Sequence, residues 1–325
     1  MIVSFLIVIT ALTGAPDDSS DWALVNTLAV EHERNAALAV DCAFAFKESR
    51  KQIFFNQGVK TNAEVEAVVE VARSGEDLLV KRTEKANVLR SDNSAYTLRL
   101  DMVKNAEYIA CFTGPETHIE LFYHDRPGPP SDPGRGPRAI PQALGVGPHK
   151  CGFGDGHSPL SGILEAAREA SSEVSCKPVQ EGERLYALEI TRPSGVFSRI
   201  VVDASKGALI VSAVKMYNGQ KQSELEVVPA KYEDCWFPKT WKRTTYDKTG
   251  KEDIVSSAEL TSFSKDTSSI EFTYEGILPS EDMLFAVYDE SGQIVQMYSV
   301  DGVLVTEELA GIMRRDKKAI LQSGG

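Results

Sequence analysis

The chain lacks the short motifs that announce the commonest enzyme chemistries. No G-x-S-x-G elbow is present, which removes the usual hydrolase nucleophile. The glycine-rich stretch Gly152-Phe-Gly-Asp-Gly156 has no Gly-Lys-Ser/Thr ending and no strand signal before it, so it is not a phosphate loop. Histidine is scarce, with His32, His118, His124, His149 and His157 the whole set, and their spacing favours no Ser/His/Asp or Cys/His arrangement. Cysteine is scarce as well: Cys42, Cys111, Cys151, Cys176 and Cys235 form no C-x-x-C pair, and the odd count leaves at least one unpaired within a monomer. Positive charge is in deficit, with 35 Lys and Arg against 47 Asp and Glu and a net charge of −12. Phosphate binding needs a concentrated cationic surface, so no nucleic-acid partner is expected. No segment reaches about eighteen consecutive apolar residues, so no transmembrane helix is expected either.

What is present reads as a folded protein. The 325 residues suffice for one large domain or two small ones, and 42% hydrophobic with 25% charged residues is ordinary for a globular chain. The start, MIVSFLIVITALTGA, holds an apolar run from Ile2 to Leu12 that is too short to span a bilayer. Thr13-Gly14-Ala15 supplies small residues at a cleavage position, so residues 1–15 read as a signal peptide, although no Lys or Arg precedes the run. A periplasmic or secreted location follows, in which a disulfide is chemically allowed. Cys151 and Cys176, which bracket a glycine-rich loop and a helix signal, are the first candidates for one; the other cysteines read as small buried hydrophobes.

Periodicity predicts a helix from Asp21, its N-cap, to about Ala37, with Trp22, Val25, Leu28, Ala29 and His32 near one face. Val40, Cys42, Phe44 and Phe46 then share one face of a strand. Segment 64–73 fits strand or helix, and its context favours strand. Further strands are predicted at 78–89, 95–103, 108–112 and 118–123. Residues 125–159 are dense in Gly and Pro and read as a long loop or insertion. A short helix follows at 161–171. The C-terminal half is a run of strands at 185–192, 197–203, 208–217, 223–228, 236–246, 253–263 and 270–274. Between them lie Pro193-Ser194-Gly195, Asp203 to Gly207, Asn218-Gly219 and Asp247 to Gly250, turn sequences in which Gly and Asn accept positive φ. Short connections force antiparallel neighbours, so these strands form a meander in a large curved sheet.

Cys235-Trp-Phe-Pro-Lys-Thr-Trp-Lys-Arg243 carries two of the three tryptophans and three cations. It reads as a strand, with Trp236 and Trp241 on opposite sides and Pro238 marking an edge, a bulge or the strand's start. Solvation and pairing with nearby acids account for its cations.

The order of these segments resembles the LolA/LppX/RseB-like half-barrel superfamily of exported lipoprotein-carrier and sigma-regulator proteins, most of all its large secreted members from planctomycete-type bacteria. The residues that carry the resemblance are an aspartate turn, Asp203 to Gly207, followed by a strand, a hairpin and the Trp236-Phe237-Pro238 strand, with Cys235 where a glycine is usual. The resemblance covers most of residues 20–290. It implies a mainly β (α+β) protein: a curved antiparallel sheet forming an open half-barrel, with a few helices on the concave side. It also implies a single domain over 16–300 with the insertion at 125–159, and a tail at 301–325.

Two sets of residues are candidates for a site. Phe44, Phe46, Leu98, Leu100, Phe112, Leu121 and Trp241 lie on predicted strands and alternate with polar neighbours; they are either core or the lining of a cavity. His149, Cys151 and His157 are weak metal candidates, because their spacing matches no standard ligand motif. The leading expectation is an exported, non-enzymatic binding protein without a cofactor, holding an acyl chain or a lipidated protein in the concave cavity. The alternatives are an envelope interaction or stress-sensing module, and a metal-dependent enzyme using the 149–157 loop.

Overall fold

Strand β1 (Cys42–Asn56) shows how the sequence builds the sheet. Cys42, Phe44, Phe46 and Glu48 are buried, whereas Lys47 and Ser49 are exposed, so a period of two puts one row inside. The computed structural model describes residues 20–39, 41–56, 59–75, 77–86, 96–106, 108–113, 118–123, 146–147, 150–151, 160–180, 184–273, 284–288 and 294–299. The expected signal peptide, the 301–325 tail and nearly all of the 125–159 insertion lie outside these residues.

From β1 the chain runs as an antiparallel meander through β2 (Val59–Ser74), β3 (Asp77–Ala86), β4 (Tyr96–Lys104), β5 (Tyr108–Thr113) and β6 (His118–Tyr123). A second meander comprises β9 (Glu173–Pro178), β10 (Leu185–Thr191), β11 (Val196–Asp203), β12 (Leu209–Tyr217), β13 (Gln220–Tyr232), β14 (Cys235–Tyr246) and β15 (Glu252–Ser264). A two-residue ladder, β7 (Val146–Gly147) with β8 (Lys150–Cys151), stands apart. The two meanders join where β1 pairs with β15, from Ala43 opposite Ser264 to Gln52 opposite Ile254. Two more strands, β16 (Leu284–Tyr288) and β17 (Ile294–Ser299), extend the far side, and β16 runs parallel to β6. The result is one 15-stranded sheet with β17 and β9 at its unjoined ends. It is the open half-barrel that the resemblance implies.

Helices α1 (Ser20–Ala37) and α2 (Leu160–Glu169) pack against each other on one face, here called the inner face, and α1 also packs on β9 and β14. Trp22, Val25 and Leu28 of α1 and Leu160, Leu164 and Ala167 of α2 meet Phe44, Phe46, Val69, Leu188, Ile200 and Phe237 of the sheet in one apolar core. Among the described residues no helix is long and apolar enough to cross a membrane.

Several expectations are corrected. The first helix begins at Ser20, which puts Asp21 in its first turn and not at its N-cap. Strand β9 was not foreseen: Glu173-Val-Ser-Cys-Lys-Pro is a short polar edge strand with a single buried residue, Cys176. Residues 270–273 are not a strand. Both edges of β15 are occupied, by β14 and β1, so the segment that follows it has no free edge to extend. Cys176 carries a free thiol, so the expected bridge to Cys151 is not formed; Cys42 and Cys235 are free as well.

Candidate functional site

The aspartate turn proves to be the docking point of α1. Asp203 accepts from the Ser205 amide at 3.0 Å and pairs with Lys206 Nζ at 2.7 Å. Burial alone would raise the Asp203 carboxyl, but the bonds from Lys206 and Ser205 hold it below its ordinary value. Gly207 closes the turn at φ +61°, and a Cβ there would stand 2.5 Å from Cβ of Asn35. Asn35 in turn bonds Trp236 of β14, while His32 Nδ1 lies 3.0 Å from the Ala208 carbonyl. The D-x-x-x-G and Trp-Phe-Pro signatures are thus two halves of one helix-to-sheet contact. Pro238 sits at a bulge, where the register with β13 shifts between Val228 and Pro229, and β14 pairs with β15 only from Thr240 onward. No ladder bond to β15 is therefore lost to the proline.

Of the seven expected cavity-lining residues, Phe44, Phe46 and Trp241 are brought together. The Phe46 and Trp241 rings lie 5.1 Å apart and the Phe44 and Phe237 rings 5.0 Å apart, and all four residues are buried. They form the inner-face core under the helices. Leu98 and Leu100 lie on β4, Phe112 on β5 and Leu121 on β6, but their side chains are outside the described set. His149 and His157 are likewise outside it, as is the Cys151 side chain; among the described residues no cluster of His, Cys, Asp and Glu is able to hold a metal.

Beyond the aromatic cluster the inner face turns ionic, which the sequence reading missed. Arg82, 2% exposed, donates to Glu48 at 2.8 Å and to Glu84 at 2.8 and 3.0 Å. Arg50 reaches Glu84 at 3.5 Å, and the Ser256 hydroxyl donates to Glu48 at 2.9 Å. Burial pulls the Arg82 guanidinium down, but Glu48 and Glu84 outweigh it and hold the group above its ordinary value. The signal was in the alternation: Glu48 continues the Phe44, Phe46 row, and Arg82 and Glu84 continue the row of Val80.

The opposite face carries a groove of about 880 Å³ that spans β12 to β15 and β1 to β3. Most of its lining alternates with the buried set, in two rows fixed by register. One row runs Val228, Thr240, Glu259, Lys47, Val68, Thr83; the other runs Glu226, Lys242, Ser257, Ser49, Glu66, Lys85. Three opposite-charge pairs, Glu226 with Lys242, Glu259 with Lys47 and Glu66 with Lys85, stand directly across from one another. Charge is balanced within these pairs, leaving Val68 and Val228 as apolar contacts, 46% and 56% exposed. Trp241 also borders the groove, whereas Phe44 and Phe46 do not.

The architecture is that of an open half-barrel with helices on one face. No family model matches the chain, and no curated protein matches its sequence. Among solved structures it is similar to a DUF1329 family protein from Desulfovibrio piger, with 10% identity, 79% of this chain and 97% of that one covered, and a TM-score of 0.40. It is also similar to a putative outer membrane lipoprotein-sorting protein domain from Vibrio parahaemolyticus, with 10% identity, coverage of 77% and 96%, and a TM-score of 0.37. A LolA superfamily protein from Nitrosomonas europaea matches with 9% identity, coverage of 74% and 92%, and a TM-score of 0.32.

Proposed function

We propose that this protein is a non-enzymatic, exported binding protein that holds an apolar chain, from an acyl lipid or a lipidated protein, against its half-barrel. The observation that carries the reading is the 880 Å³ groove, a volume within the range that accommodates small apolar ligands. Its apolar contacts are solvent-exposed valines on strands whose other faces are already spent on the core, so occupying it leaves the fold undisturbed. Phe44 and Phe46 pack in the core behind the groove, and Trp241 is shared between the two. The test is titration of a fluorescent sixteen-carbon acyl probe into the wild type and into Val228→Asp and Val68→Asp. Saturable binding that weakens at least about tenfold in either variant supports the reading, since one buried charge offsets much of an apolar contact. Absence of binding by the wild type, or equal binding by all three, overturns it.

A further inference from the structure

The inner face holds a second feature, independent of the groove. In one row, Leu225 stands opposite Arg243, Arg243 opposite Ser256 and Ser256 opposite Arg50. Arg82 and Arg50 both have acidic partners, but Arg243, half-buried, has none among the described residues. Burial pushes its guanidinium below the ordinary value with no neighbouring carboxylate to oppose the shift. Two further polar atoms on the same face are buried without a hydrogen-bond partner: Nε of Arg50, in the same row beyond β15, and Oγ1 of Thr245, two residues along β14. Among the described residues, the guanidiniums of Arg50 and Arg82 are paired with Glu48 and Glu84, and that of Arg243 with no carboxylate. An uncompensated, half-buried charge and unmade buried hydrogen bonds are both costly, and a bound anion offsets these costs.

We propose that Arg243, with the free Nε of Arg50 and the hydroxyl of Thr245, forms a binding site for a carboxylate monoanion. The planar guanidinium fork matches the two oxygens of a carboxylate. Leu225 and Trp241 flank Arg243 across and along the strands, so an apolar substituent on the carboxylate finds hydrocarbon next to the charge.

Thermal unfolding of the full chain in sodium acetate, sodium hexanoate and sodium phosphate, against chloride at matched ionic strength, tests this. The site predicts a saturable rise in Tm with acetate or hexanoate that is absent in Arg243→Met. In Thr245→Val the apparent Kd rises about tenfold, the loss of one hydrogen bond to a charged group. Hexanoate binding much tighter than acetate identifies the carboxyl end of an acyl chain as the occupant, and equal binding identifies a small free carboxylate. No saturable shift, a shift that survives in Arg243→Met, or an equal midpoint with phosphate overturns the proposal.

Discussion

Asn35 and Trp236, 201 positions apart, exchange two hydrogen bonds: the Asn35 side-chain amide donates to the Trp236 carbonyl at 2.9 Å, and the Trp236 amide donates to Asn35 Oδ1 at 2.8 Å. A helix side chain thus stands in for a strand partner at the stretch of β14 that lies beyond its pairing with β15. Asn35→Ala leaves both backbone groups without a partner in a site where Asn35 is 4% exposed. The expected loss is about 2–4 kcal/mol, two buried groups at 1–3 each partly relieved by water, measured by urea unfolding.

Gly207 and Gly250 separate two causes of glycine preference. Both have positive φ, +61° and +79°, but an added Cβ meets Asn35 at 2.5 Å in the first and nothing within 4 Å in the second. Gly250→Ala should cost about 1 kcal/mol for backbone strain alone. Gly207→Ala should cost clearly more, and combining it with Asn35→Ala should give a non-additive total because the two residues touch.

His32 makes stability depend on pH. Burial holds its imidazole below the ordinary value of 6.5, outweighing the raising influence of the Ala208 bond and of Glu33. Nδ1 serves the Ala208 carbonyl while Nε2 is buried without a partner, so a second proton has no acceptor. The unfolded chain therefore binds a proton that the folded chain refuses, and stability falls as pH drops below 6.5. In His32→Gln, unfolding free energy measured just below pH 6.5 should lose much of this slope; an unchanged slope would place the titration elsewhere.

The Glu48–Arg82–Glu84 cluster should show the asymmetry of buried ions. Arg82→Met leaves two carboxylates buried beside each other and should cost about 3–5 kcal/mol. Replacing all three by Leu, Met and Leu should recover most of that loss, since the desolvation cost goes with the charges. If the triple variant is as unstable as the single one, packing rather than charge governs the site.

Buried thiols should be inert. Burial pushes Cys42 and Cys176 up to about 11, and it raises Cys235 as well. With a thiolate fraction of about one in ten thousand at neutral pH, these three cysteines should take up an alkylating reagent only on unfolding. Peptide mapping after native labelling checks this and also tests the unbridged state of Cys176.

How much was legible in the sequence follows from where the information is stored. The β1 and β10–β15 strands and their turns were readable because alternation and Gly or Asn turn chemistry are local. The β1–β15 join was not, because it pairs residues more than 200 positions apart that share no sequence signal. Edge strand β9 has too little apolar alternation to stand out. The ionic row was hidden by the assumption that Glu and Arg face solvent, although the phase of Glu48 with Phe44 and Phe46, and of Arg82 and Glu84 with Val80, placed them inside. The outer groove was illegible because it is a property of seven strands lying side by side, with no motif in any one of them.

The measurement that bears most directly on the central claim is native mass spectrometry of the protein purified gently from its own cells, followed by solvent extraction. The account predicts a stoichiometric acyl adduct on the wild type that is missing from a Val68→Asp, Val228→Asp double variant of unchanged thermal stability. A bare mass for the wild type, or an adduct that persists in the double variant, would contradict it.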